Sequence, residues 1–96
     1  MNIQIQSVKF DADKKLVDFI EDKVSKLDRY SDDILSADVT LKLDKDYEHG
    51  NKVAVLKLDV SGETLVAERQ CKSFEEAIDQ SIDALRKQLS KHKCKA

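Results

Sequence analysis

The chain has 96 residues, of which 41% are hydrophobic and 38% charged, and its formal net charge is −2. That length suits one compact domain, and charge of mixed sign describes a solvated globular surface rather than a disordered tail. No apolar run approaches the roughly 20 residues of a membrane span, and "MNIQIQSVKF" lacks the basic and apolar parts of a secretory signal, so a cytoplasmic protein with no membrane partner is expected.

"NIQIQSV" alternates Ile3 and Ile5 with Asn2, Gln4 and Gln6, which predicts a strand. Asp11 or Asp13 then caps a helix, because a carboxylate there accepts orphan backbone N–H groups. Leu16, Phe19, Ile20, Val24 and Leu27 recur at steps of three and four, one buried stripe, and the helix frays near Tyr30. "ADVTLKL" turns Ala37, Val39, Leu41 and Leu43 inward as a second strand. The polar "DKDYEHGN" turns at Gly50-Asn51. "KVAVLKLDV" carries Ala54, Leu56, Leu58 and Val60 on one face, "SGE" is a hairpin turn, and "TLVAERQC" returns as a fourth strand. Phe74, Ile78, Ile82, Leu85 and Leu89 mark a closing helix capped by Ser73, with Glu76 at capping-box spacing.

The fold class expected is therefore α+β, with element order β-α-β-β-β-α and two helices on one face of a four-stranded sheet. The first β-α-β unit is a right-handed crossover between parallel strands and the rest a meander. Asp38, Thr40, Lys42, Lys57 and Asp59 leave the other sheet face to water.

Enzyme signatures are scarce. With only Gly50 and Gly62 there is no glycine-rich phosphate loop, and neither a paired-histidine motif nor a nucleophile elbow is present. Asp32-Asp33 and Glu75-Glu76 suit a loop and a helix N-terminus. His92 and Cys94 have no zinc spacing, and Cys71 and Cys94 are expected as reduced thiols. Binding is favoured over catalysis, with no metal, cofactor or small-molecule substrate.

Charge is unevenly placed. Residues 1–84 sum to −7, whereas 85–96 hold five cations and no acid, for +5. On the first helix Lys15, Lys23, Lys26 and Arg29 flank the apolar stripe on one side, with Asp18, Glu21 and Asp28 on the other. On the second, Lys87, Lys91 and Lys95 form an outward stripe, and Arg86 and Lys93 a second line. Helix-dipole compensation accounts for one or two of these cations and leaves the rest unexplained. Phosphate rewards such an array. With three Phe and two Tyr, a stacking platform for single-stranded bases is poorly supported, and structured RNA fits better.

Lys23-x-x-Lys26-Leu27-x-Arg29-Tyr30, Leu65-Val66-Ala67, Ala77-Ile78-Asp79 after an aromatic, and Gln88-Leu89-x-Lys91-His92-Lys93 occur in that order across the chain. Together they resemble the ribosome hibernation-promoting factors, a family that includes the ribosome-associated inhibitor and proteins once called sigma-54 modulators. The resemblance implies a double-stranded-RNA-binding-domain-like fold and a stationary-phase stress response. Its members bind 16S rRNA in the decoding region of the small ribosomal subunit (30S, or 70S), blocking mRNA and A- and P-site tRNA and suppressing translation. It puts Lys23, Lys26, Arg29, Arg86, Lys87, Lys91 and Lys93 on rRNA phosphates, with Arg69, Lys72 and Lys95 as weaker candidates. Lys72-Ser73-Phe74 stands where the family usually has Asp-Met-Tyr. A single ribosome-binding domain spanning 1–96 is expected, the short form without a C-terminal dimerisation domain and a monomer off the ribosome. The competing readings are a general double-stranded RNA module and a regulator whose acidic surface binds a protein.

Overall fold

The computed structural model describes residues 2–30, 33–45, 48 and 50–94. Period-two alternation becomes four strands: β1 (Asn2–Ser7), β2 (Ile34–Leu43), β3 (Lys52–Val60) and β4 (Glu63–Cys71). Helix α1 (Lys14–Ser25) lies between the first two, and α2 (Phe74–Cys94) closes the chain. The sheet order is β1-β2-β3-β4, with β1 parallel to β2 and the later pairs antiparallel. This is the α+β architecture expected.

Of the two candidate caps, Asp13 is the one used: its Oδ1 accepts the Leu16 N–H at 2.8 Å. At α2 the Ser73 Oγ accepts the Glu76 N–H at 3.2 Å. Ile20 and Val24 of α1, and Leu27 just beyond it, meet Val39, Leu41, Leu56 and Leu58 of the sheet, with Ile78, Leu85 and Leu89 of α2, in one buried cluster. Fully burying side chains of this size stabilises by about 1.5–3 kcal/mol each. Ile82, expected on the α2 stripe, is only partly buried at its edge. Cys71 is a free, buried thiol, and burial followed by the Glu76 charge pushes its pKa up.

The chain departs from the expectation at three places, each for a local reason. α1 stops at Ser25 and tightens into a 3-10 turn over Lys26–Arg29. Three residues per turn replaces 3.6, so an α-helical wheel misplaces Arg29. β2 begins at Ile34, and a register shift between Ile34 and Ser36 breaks the alternation there. Ile34 is buried and Leu35 is 63% exposed, which hides the strand start from a period-two reading. Leu43, expected inward, is 48% exposed at the strand's end.

The topology sets the helix directions. β4 runs parallel to β1, because each is reached from β2 through parallel pairing or two antiparallel steps. Both helices leave the same end of the sheet and return along it, so they lie parallel. The same sequence offset separates Lys23 from its partner Asp79 and Tyr30 from its partner Arg86, as parallel packing requires. Both C-terminal dipole ends therefore point one way. No helix among the described residues is long and apolar enough to cross a membrane.

Candidate nucleic-acid interface

Parallel helices concentrate negative dipole ends, and cations are favoured there. Lys23, Lys26 and Arg29 stand at that end of the first helix and its 3-10 turn, and Arg86, Lys87 and Lys91 on the C-terminal half of α2. Three open grooves run between them. One of about 350 Å³ is lined by Lys23, Lys26, Tyr30, Ile82 and Arg86, with Asp79 and Asp83 on its wall. Its neighbour, of about 540 Å³, is lined by Arg29, Tyr30, Arg86, Lys87 and Ser90. A third, of about 410 Å³, lies on the far flank of α2 and takes in Arg69, Gln80, Lys87, Gln88 and Lys91. Lys87 borders two of them and stands on the ridge between.

Intramolecular carboxylates already engage several of these cations. Lys23 reaches across to Asp79 at 3.7 Å and lies over the Phe19 ring, so it also ties the helices together. Lys26 pairs with Asp22 at 3.4 Å. Asp83 takes Arg86 at 2.5 Å and Lys87 at 3.4 Å. The Lys87 ammonium and the Arg86 guanidinium hold the Asp83 carboxyl below the usual carboxylate range. The Tyr30 side chain and Asp83 in turn push the Arg86 pKa up. Exposed pairs of this kind are weak, screened by solvent, and exchange readily for an external anion.

Of the residues singled out from the sequence, Lys23, Lys26, Arg29, Arg86, Lys87 and Lys91 fall on this one end of the helical layer. Arg69 joins them across the flank of α2, beside its middle turns rather than its start. Its odd position in β4 shares the helix-facing side with Leu65 and Ala67. Lys72 precedes the N-cap of α2, at the opposite end, and is not brought together with the others. Lys95 and the side chain of Lys93 lie outside the described residues.

Two features escaped the sequence reading. Asp22, Asp79 and Asp83 enter the basic surface. The spacing of Asp83 to Arg86 and Lys87 and of Asp22 to Lys26 carries a helical pairing signal, whereas the Lys23–Asp79 contact joins segments far apart in the chain. Tyr30 was the other: it stays 41% exposed with the Arg86 guanidinium over its ring at 5.9 Å. Among the described residues no cluster of three or more His, Cys, Asp or Glu is placed to hold a metal.

The sequence pattern described as Sigma 54 modulation protein / S30EA ribosomal protein matches residues 3–96. The chain belongs to that family. It is 35% identical over 92 residues to the ribosome hibernation promotion factor of Deinococcus radiodurans, a match covering 94% of this chain and 48% of that protein. It thus spans about half the length of that relative. The ribosome hibernation promoting factor of Azotobacter vinelandii is 35% identical over 93 residues, covering 97% of this chain and 83% of the relative. The fold matches a ribosomal subunit interface protein from Coxiella burnetii with a TM-score of 0.87 at 22% identity, covering 98% and 99% of the two chains.

Proposed function

We propose that this chain is a cytoplasmic, ribosome-binding translation inhibitor that acts in hibernation under stress or in stationary phase. The basic end of its helical layer docks on 16S rRNA phosphates of the small subunit, in the decoding region, and blocks mRNA and A- and P-site tRNA. It works as a monomer off the ribosome and carries out no catalysis.

The observation that carries this reading is convergence. Cations from the first helix, the 3-10 turn and the C-terminal half of α2 gather at one end of the fold, with Arg69 of β4 on the flank of α2, around shallow open grooves rather than a closed pocket. Each phosphate neutralised there releases counterions, and a backbone-tracking surface needs several cations at fixed spacing more than it needs base-reading groups. Relatives named as hibernation factors support the same assignment.

Co-sedimentation with 30S and 70S particles on a sucrose gradient tests it. The protein is expected to travel with the particles, and the double variant Lys87→Glu, Lys91→Glu to remain at the top. With four to six phosphate contacts the log–log salt slope is about −3 to −5. Wild-type protein left at the top of a low-salt gradient beside excess ribosomes overturns the proposal.

A further inference from the structure

An aromatic ring stands open where the cations converge. Tyr30 follows the 3-10 turn and keeps 41% of its surface exposed, although Leu27, three positions earlier, is fully buried. It lines both the groove shared by Lys23 and Lys26 and the one shared by Arg29 and Lys87, and Arg86 is the other residue common to the two. The Arg86 guanidinium lies over the ring, 5.9 Å from its centroid. Both grooves, of about 540 and 350 Å³, are shallow and open, so a flat group can reach the ring from solvent without entering a closed pocket.

We propose that Tyr30, with Arg86 across its ring, is the stacking seat for one unpaired nucleobase of the bound RNA. The inference rests on the RNA-binding reading above and adds a contact that phosphate neutralisation does not supply. Charge complementarity selects the occupant: a base reaching this ring carries its flanking phosphates into reach of Lys26, Arg29 and Lys87. A paired base has both faces covered by its neighbours, so only a nucleotide projecting from a bulge, loop or helix end has a face to offer. Every base has such a face, so the seat selects a place in the RNA shape rather than a letter of its sequence. The few aromatics of the chain make a continuous single-strand platform unnecessary to this arrangement; one ring serves one base.

Binding of wild-type, Tyr30→Phe and Tyr30→Leu proteins to purified 30S subunits across a salt series tests the seat. Stacking releases no counterions. Tyr30→Leu should therefore bind roughly 5- to 100-fold more weakly with the salt slope unchanged, whereas Lys87→Glu should flatten the slope. Tyr30→Phe should bind as wild type, because the ring and not the hydroxyl does the stacking. Short-wavelength ultraviolet irradiation of the wild-type complex should leave a nucleotide adduct on the Tyr30 peptide, a readout independent of how any variant folds. Wild-type affinity in Tyr30→Leu, an equal loss in Tyr30→Phe (a hydroxyl that merely positions Arg86), or no adduct at Tyr30 overturns the inference while leaving ribosome binding in place. Failure of the wild-type protein to bind 30S at all is the separate failure of the underlying reading, and the seat falls with it.

Discussion

Asp83 holds two cations of the basic surface on one carboxylate, Arg86 at 2.5 Å and Lys87 at 3.4 Å. Both cations border the groove at Tyr30, so any incoming phosphate competes with Asp83 for them. Asp83→Asn removes one negative charge and frees two positive ones. The variant should bind small subunits a few-fold more tightly, with a salt slope steeper by up to about 2. Loss of affinity would show that Asp83 orients the pair rather than competing for it. The pH dependence has a definite sign. Because the folded carboxyl is held below its usual value of about 3.9, the pairing contributes to stability above that value and is lost as pH falls through the depressed one. A urea series between pH 5 and 8 should therefore show no slope traceable to Asp83.

Leu27 is fully buried although it lies in the 3-10 turn, beyond the regular part of the first helix. It pins the segment that carries Lys26, Arg29 and Tyr30. Leu27→Ala should cost about 2–5 kcal/mol, as deletion of a buried leucine does. Leu56→Ala in β3 should cost a similar amount, since Leu56 is 1% exposed. The two should separate in binding. At a temperature where both are folded, Leu27→Ala should lose ribosome affinity and Leu56→Ala should keep it. Equal affinities would mean that the 3-10 turn is held in place without Leu27.

That pair also marks what could be read in advance. Leu56 stands in β3, where Ala54, Leu56, Leu58 and Val60 alternate without a break, and β4 pairs with it residue by residue. An unbroken period of two leaves little choice of fold. The end of the first helix is different: its apolar spacing continues smoothly through Leu27 while the backbone tightens around it. Ile34 and Leu35 are hidden for a related reason, because the register shift reverses the parity of the strand, putting Ile34 on the core face with Ala37 and Val39 and leaving Leu35 outward. At the site, the clustering of Lys87 and Lys91 on one face of α2 follows from helical spacing alone. Their gathering with Arg29 and Arg69 depends on the parallel helices and on β4 lying beside α2, which no local pattern encodes. The exposure of Tyr30 belongs to the same class.

Gly50 lies against the backbone where β4 turns into α2. Its φ is +120°, and a Cβ built there would fall 2.2 Å from the Cys71 carbonyl carbon, with backbone rather than a yielding side chain in the way. The Gly50 carbonyl also accepts the Gln70 Nε2–H at 2.7 Å, fastening the loop to the edge strand. Gly50→Ala should destabilise by at least about 2 kcal/mol in urea unfolding, from strain at a conformation that side chains rarely adopt. This corner adjoins the N-terminal end of α2, away from Tyr30 and Arg86. Ribosome affinity per folded molecule should be unchanged, and a stability within about 0.5 kcal/mol of wild type would contradict the close approach.

Ser81 occupies the core stripe of α2 between Ile78 and Leu85 and is fully buried, yet its Oγ has no hydrogen-bond partner among the described residues. A buried hydroxyl without a partner carries its desolvation cost uncompensated, about 1–3 kcal/mol. Alanine removes that cost, leaves only a small void, and is also the better helix former by up to about 0.7 kcal/mol. Ser81→Ala should therefore stabilise the protein by about 1 kcal/mol and raise Tm by about 4–8 °C. Ser81→Val should not share the gain, because extra methyl groups in a packed core force neighbours off their rotamers. The side chain points into the core, so ribosome binding should be indifferent to either change. If Ser81→Ala instead lowers Tm, the hydroxyl is satisfied in solution, with the Ala77 carbonyl one turn back as the acceptor that helical geometry offers.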